Sequence, residues 1–115
     1  IANIIKIPLN RPTGNPQSNA ILDTFEKTTH RSASYFITIS DSNTGTLGNY
    51  ETLEARVTHD GTNSYVSTFG RTNSATTGDL VAFTTEVSGD DVRLRGAISS
   101  TNAHKVTVVR RLINI

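Results

Sequence analysis

Apolar and polar residues alternate with a period of two along most of the chain. Residues 32–40 (SASYFITIS) put Ala33, Tyr35, Ile37 and Ile39 on one face and Ser34, Phe36, Thr38 and Ser40 on the other. That period belongs to a half-buried strand, because successive side chains of a strand point to opposite faces. Phe36 interrupts the polar face and calls for cover. Residues 50–58 repeat the pattern, with Leu53, Ala55 and Val57 against Thr52, Glu54, Arg56 and Thr58. Further on, Val81, Phe83, Thr85 and Val87 alternate with Leu80, Ala82, Thr84 and Glu86. Val92, Leu94, Gly96 and Ile98 alternate with Arg93 and Arg95, and 104–113 (HKVTVVRRLI) read as a last strand. Near the start, Asn3 to Leu9 form a short β-like run. Pro8 places it at a sheet edge, because proline donates no ladder hydrogen bond.

The segments between these runs are turn-like. Residues 10–19 (NRPTGNPQSN) read as a loop, and 41–48, 71–78 and Ser99–Ala103 read likewise. Asp23 is suited to cap a short helical turn carrying Phe25 and Glu26. His59, Asp60, Gly61 and Thr62 form the strongest local signal, a turn between two alternating strands. A two-residue loop would put Tyr65 and Phe69 on the face of Glu54 and Arg56. A three-residue loop, His59–Gly61, with Gly61 left-handed in a bulge, sets Ala55 opposite Tyr65 and makes Thr58 and Thr62 the flanking pair. The second register is preferred here, because it gathers Leu53, Val57, Tyr65 and Phe69 on one face. The whole pattern predicts an all-β protein of about seven strands. An antiparallel β-sandwich of jelly-roll-like form is expected, with a closed barrel as the alternative. Residues 1–20 are expected to be an N-terminal strand and arm or linker, and 21–115 the sandwich domain.

Composition gives that pattern a context. Of 115 residues, 18 are Thr, 11 Ser and 10 Asn, a set suited to outward strand faces and turns. The net charge is +1, and the 11 Lys and Arg are scattered, so no nucleic-acid footprint is visible. No apolar run is long enough for a transmembrane helix. Neither nucleic acid nor membrane is an expected partner. Cysteine is absent, which excludes thiol catalysis and Cys-based metal sites and fits assembly in a reducing cytoplasm. Methionine is also absent, and the chain opens and closes on Ile. These features lead us to expect a piece of a longer protein whose apolar ends pair with the domain itself or with a neighbour.

Candidate chemistry is sparse. His30, His59 and His104 make no metal-binding or catalytic spacing, and His59 reads as a turn residue. Asp41 with Asn43, and Ser88 with Asp90 and Asp91, offer oxygen atoms but lack a Ca²⁺-loop spacing. Asp79 and Glu86 do not form a paired-acid site by themselves. Arg93, Arg95, Arg110 and Arg111 can carry positive charge on the last two strands, read as a solvated face or inter-subunit ion pairs. Tyr35, Tyr50 and Tyr65 are candidates for stacking on sugars. No catalytic residue, cofactor or metal site is expected, and the chain reads as a non-enzyme. A small hydrolase of a host envelope is the least favoured alternative.

Several short stretches in a fixed order resemble a known domain. They are Asp23-Thr24-Phe25, Arg31-Ser32-Ala33, Tyr35-Phe36-Ile37-Thr38-Ile39, His59-Asp60-Gly61-Thr62 and Gly89-Asp90-Asp91-Val92-Arg93-Leu94-Arg95. Together, over roughly residues 21–113, they resemble a domain of virion structural proteins of tailed phages, notably those of marine cyanobacteria. The resemblance implies a structural component of a phage particle, assembled in the host cytoplasm and located in the virion. Its implied partners are further copies of itself and other virion proteins, met through β-edges and apolar contacts. The alternative is a receptor- or glycan-binding module of a tail fibre, with a host-surface glycan as partner.

Overall fold

The structure is a computed structural model that describes residues 4–11, 17–42, 49–73, 80–98 and 103–115, with side chains described over 20–40, 50–72, 80–98 and 105–115. The described residues form eight strands: β1 (Ile4–Arg11), β2 (Gln17–Glu26), β3 (His30–Ser42), β4 (Asn49–His59), β5 (Ser64–Asn73), β6 (Val81–Ser88), β7 (Asp91–Ile98) and β8 (Ala103–Asn114). They make two antiparallel sheets, ordered β1-β8-β3-β4-β5 and β2-β7-β6. Their inner faces share one core, so the fold is an all-β antiparallel sandwich. The β1–β8 and β2–β7 pairs are nested across the two sheets, whereas β3, β4 and β5 follow one another as a meander.

The alternation read from the sequence supplies that core. Ala33, Tyr35, Ile37 and Ile39 of β3, Leu53, Ala55 and Val57 of β4, and Val106, Val108 and Leu112 of β8 are buried from the large sheet. Leu22, Phe25, Val81, Val92, Leu94 and Ile98 meet them from the small one. Pro8 sits in β1, the edge strand beyond β8, opposite Thr107. Its missing N–H therefore costs no ladder bond in the sheet centre.

Three expectations are corrected. The additional strand is β2. Residues 17–19 belong to it rather than to a loop, and Asp23 lies in its middle rather than at a helix cap. The register between β2 and β7 shifts between Ile21 and Asp23. This bulge turns both Leu22 and Asp23 inward, so neighbouring residues share a face and the period-two signal disappears. Opposite the bulge, a Cβ on Gly96 would stand 2.7 Å from Leu22 Cδ1 and 3.1 Å from Val81 Cγ2. Glycine is what lets Leu22 close over β7.

The second correction concerns the β4–β5 hairpin. Thr58 pairs with Tyr65 and His59 with Ser64, so the loop has four residues, Asp60–Asn63. Ala55 faces Thr68, not Tyr65, and Thr62 lies within the loop. The register matches Val57 with Val66 on the inner side and sends Tyr65 and Phe69 outward, 54% and 37% exposed. A positive-φ glycine further along the strand, Gly70, accompanies a register shift between Thr52 and Glu54.

Third, Phe36 is 50% exposed, with no cover from the described residues.

Candidate functional site

The His59–Thr62 turn is built by one carboxylate and one imidazole. Asp60 Oδ1 accepts hydrogen bonds from the amides of Thr62 (3.0 Å) and Asn63 (2.8 Å), and the Asp60 amide donates to the Asn63 carbonyl at 3.1 Å. The two side-chain bonds hold the Asp60 carboxyl below the usual carboxylate range, the Asn63 amide contributing most. Gly61 takes φ +93°, a conformation that glycine adopts without steric cost. The Gly61 amide donates to His59 Nδ1 at 3.0 Å, while His59 Nε2 lies 2.7 Å from the His30 carbonyl. Nδ1 therefore accepts and Nε2–H donates, a tautomer assigned from these partners. Lys27 donates to the Gly61 carbonyl and Arg31 to the His59 carbonyl, at 3.0 and 3.1 Å. These contacts tie the β4–β5 turn to the β2–β3 turn at one end of the sandwich.

Two buried carboxylates cross-link the sheets. Asp23 of β2 accepts from the Tyr35 hydroxyl at 2.8 Å and from Arg110 Nη1 at 2.8 and 2.9 Å. Burial, and then the Asp23 charge, push the Tyr35 hydroxyl far above its ordinary titration range, so it stays a donor. Glu51 of β4 pairs with Arg71 of β5 at 2.8 Å and accepts from the Leu80 amide at 3.3 Å. Arg71 also donates to the Val81 carbonyl, which carries the link across to β6. Each buried charge has an opposite partner, the condition under which burial is tolerated.

The outer face of the large sheet is different. Its side chains fall into rows set by the strand register. Ile113, Ser32, Thr58 and Tyr65 form one row across β8, β3, β4 and β5. Arg111, Ser34, Arg56 and Ser67 form the next, and Val109, Phe36, Glu54 and Phe69 the third. The first two rows line an open groove of about 650 Å³, and a smaller hollow of about 240 Å³ continues it over the third. Ser34 and Arg111 line both. The Arg56 guanidinium lies over the Phe69 ring, 5.2 Å from its centre. A surface of this size, with a few convergent polar groups among exposed rings, fits a binding site. No carboxylate among the described residues lies within ion-pair distance of Arg56 or Arg111.

The residues singled out from the sequence are dispersed. Arg110 and Arg111 are adjacent and therefore point to opposite faces of β8. Arg93 and Arg95 lie on the other sheet, where both meet Glu86 at 3.6 and 2.6 Å. Hydrogen bonding from Arg95 holds the Glu86 carboxyl below its usual range. The four arginines thus form no single patch. Tyr35 is buried and unavailable for stacking, whereas Tyr50 and Tyr65 are exposed. His30 Nδ1 lies 2.8 Å from Asn114 Oδ1. Gly89, at φ +60°, and Asp90 make a two-residue turn flanked by Ser88 and Asp91. Asn43 and Asp79 lie outside the described residues, as do the side chains of Asp41 and His104. Sequence reasoning missed the Arg56–Ser34–Arg111 row. Its members come from three strands, and only the register aligns them.

No family model matches the chain, and no curated protein matches it significantly. Among solved structures, the chain is similar in fold to the tailspike protein of Acinetobacter baumannii phage AM24, with a TM-score of 0.53 and 8% identity over 100% of this chain. It is likewise similar to the tailspike protein of Acinetobacter phage vB_ApiP_P1, with a TM-score of 0.51 and 18% identity over 97% of this chain. The chain spans 26% and 22% of those two proteins, about a quarter of their length. At these identities the likeness is one of fold.

Proposed function

We propose that this chain is a structural module of a tailed-phage particle, of the kind found within tailspikes. The observation that carries the reading is the fold likeness to parts of two tailspikes, each over nearly the whole of this chain. The module is non-catalytic. Its buried acids, Asp23 and Glu51, are each held by an arginine, which leaves neither free to act as a general acid or base. The His59–Thr62 turn is its structural lock. It joins further copies of itself and other virion proteins through sheet edges and through exposed apolar residues such as Ile21 and Ile115. An antibody raised against the purified chain should decorate one fixed location on intact particles. Unlabelled particles, together with a chain that sediments as a monomer at high concentration, would overturn the reading.

A second reading gives the module a glycan at the host surface as partner. The outer groove of the large sheet favours it, with Tyr65 and Phe36 exposed beside serine hydroxyls.

A further inference from the structure

We infer that the outer groove binds an anionic saccharide chain, seated across Ser34 between Arg56 and Arg111. The inference deepens the glycan reading and rests on it. The described arginines have different partners. Arg71, Arg93, Arg95 and Arg110 each face a carboxylate. Arg31 is committed to the His59 carbonyl. Arg56 and Arg111 have no carboxylate partner among the described residues, and both line the same groove. Ser34 is the register partner of both, so the two arginines are rooted one strand to either side of it, with the Arg56 guanidinium resting over the Phe69 ring of β5. Neighbouring strands are roughly 4.8 Å apart. One carboxylate or sulfate above Ser34 is therefore within reach of two long cationic side chains, with the serine hydroxyl beneath it.

Among the described residues, two acids flank this row: Glu54, which lines the adjoining hollow with Arg111, and Asp60. Glu54 occupies the next row, between Phe36 and Phe69. Asp60, at the end of the groove, is turned back onto the Thr62 and Asn63 amides and also accepts from the Tyr65 hydroxyl at 3.2 Å. Neither stands in the Arg56–Ser34–Arg111 row. Positive charge therefore dominates its centre.

The remaining lining selects among anions. Ser32, Ser34 and Ser67 offer hydroxyls that both donate and accept, which suits a polyhydroxylated chain. Tyr65 and Phe36, both exposed, offer aromatic surface for apolar sugar faces at either side of the charged row. A second copy docked with its two-fold axis on this row would bring guanidiniums against guanidiniums, an arrangement that like-charge repulsion disfavours.

Titration of the purified chain, followed by calorimetry and amide chemical shifts, tests this. The probes are an oligogalacturonate, its carboxyl-reduced neutral counterpart, a sulfated dextran oligomer and polyglutamate. The oligogalacturonate should bind, and the neutral counterpart should bind at least about tenfold more weakly, the factor expected when charge-assisted hydrogen bonds are lost. Arg56→Gln with Arg111→Gln should weaken the charged probes by a similar factor, whereas Arg93→Gln should change nothing. Both groove arginines are exposed, and a thermal melt confirms that the double variant is folded. If the sulfated oligomer binds more tightly through the same two arginines, the inference holds with sulfate as the anion. Equal binding of charged and neutral saccharides would overturn it and leave the glycan reading standing. Binding of no saccharide would end both. Polyglutamate binding as tightly as the oligogalacturonate would overturn it in favour of an acidic protein partner.

Discussion

Arg110 and Arg111 are neighbours on one strand and have opposite fates. Arg110 points into the sandwich, where Asp23 and the Thr24 carbonyl take up its Nη1 hydrogens. Arg111 points outward into a groove that supplies it with no described carboxylate. The inner face of the large sheet is thus electrostatically closed, and its outer face is open. A charge inside such a sandwich has to be matched by the fold itself. A charge outside is stabilised by water and stays available to a ligand. The side chain alone does not distinguish a structural arginine from a binding one; the strand face does.

That contrast can be broken most forcefully from the inside. Asp23→Ala leaves the Arg110 guanidinium without its counter-charge and the Tyr35 hydroxyl buried without its acceptor. It should cost about 3–5 kcal/mol in a denaturant titration. Arg111→Gln should fall within about 0.5 kcal/mol of the parent chain. Equal costs for the two would erase the distinction between the faces. Gly96→Val tests the packing beneath the β2 bulge. Leu22 and Val81 leave no room for a branched side chain, so a loss of about 1–3 kcal/mol is expected. If the variant melts with the parent, Leu22 does not close over β7 as described.

Gly61→Val should cost about 1–2 kcal/mol, because a Cβ at φ +93° meets its own backbone even though the surrounding space is open. Full stability would remove the positive-φ turn from the account. The smallest effect is a pH dependence. The folded Asp60 carboxyl is depressed, so its contribution is complete above the unfolded value of about 3.9. That contribution fades as pH falls from there through the lower folded value. Asp60→Asn should flatten this acidic limb of the melting curve and leave the neutral-pH groove unchanged. An unchanged acidic limb would detach Asp60 from the turn's stability.

Much of the interior was legible because one buried face leaves a period-two trace. Ala33 to Ile39, Leu53 to Val57, and Val92 to Ile98 are buried as their alternation required. Where the backbone breaks period, that trace fails. The bulge at Leu22 hid β2 by placing two adjacent residues inward. At the β4–β5 hairpin, local turn chemistry was compatible with more than one loop length. The pairing of Val57 with Val66 on the inner face of the large sheet settled it, and with it the outward placement of Tyr65 and Phe69. The candidate site lay beyond reach for a related reason: Arg56, Ser34 and Arg111 are far apart in sequence.

The sequence by itself determined the class of architecture, the greater part of the buried face and the absence of cysteine chemistry. These follow from side-chain chemistry and strand geometry, both of which are local. Only the tertiary structure decided the registers, and the registers decided everything at the surface. A shift of one residue exchanges the two faces of a strand, so long-range pairing determined which arginine was neutralised and which was left facing water.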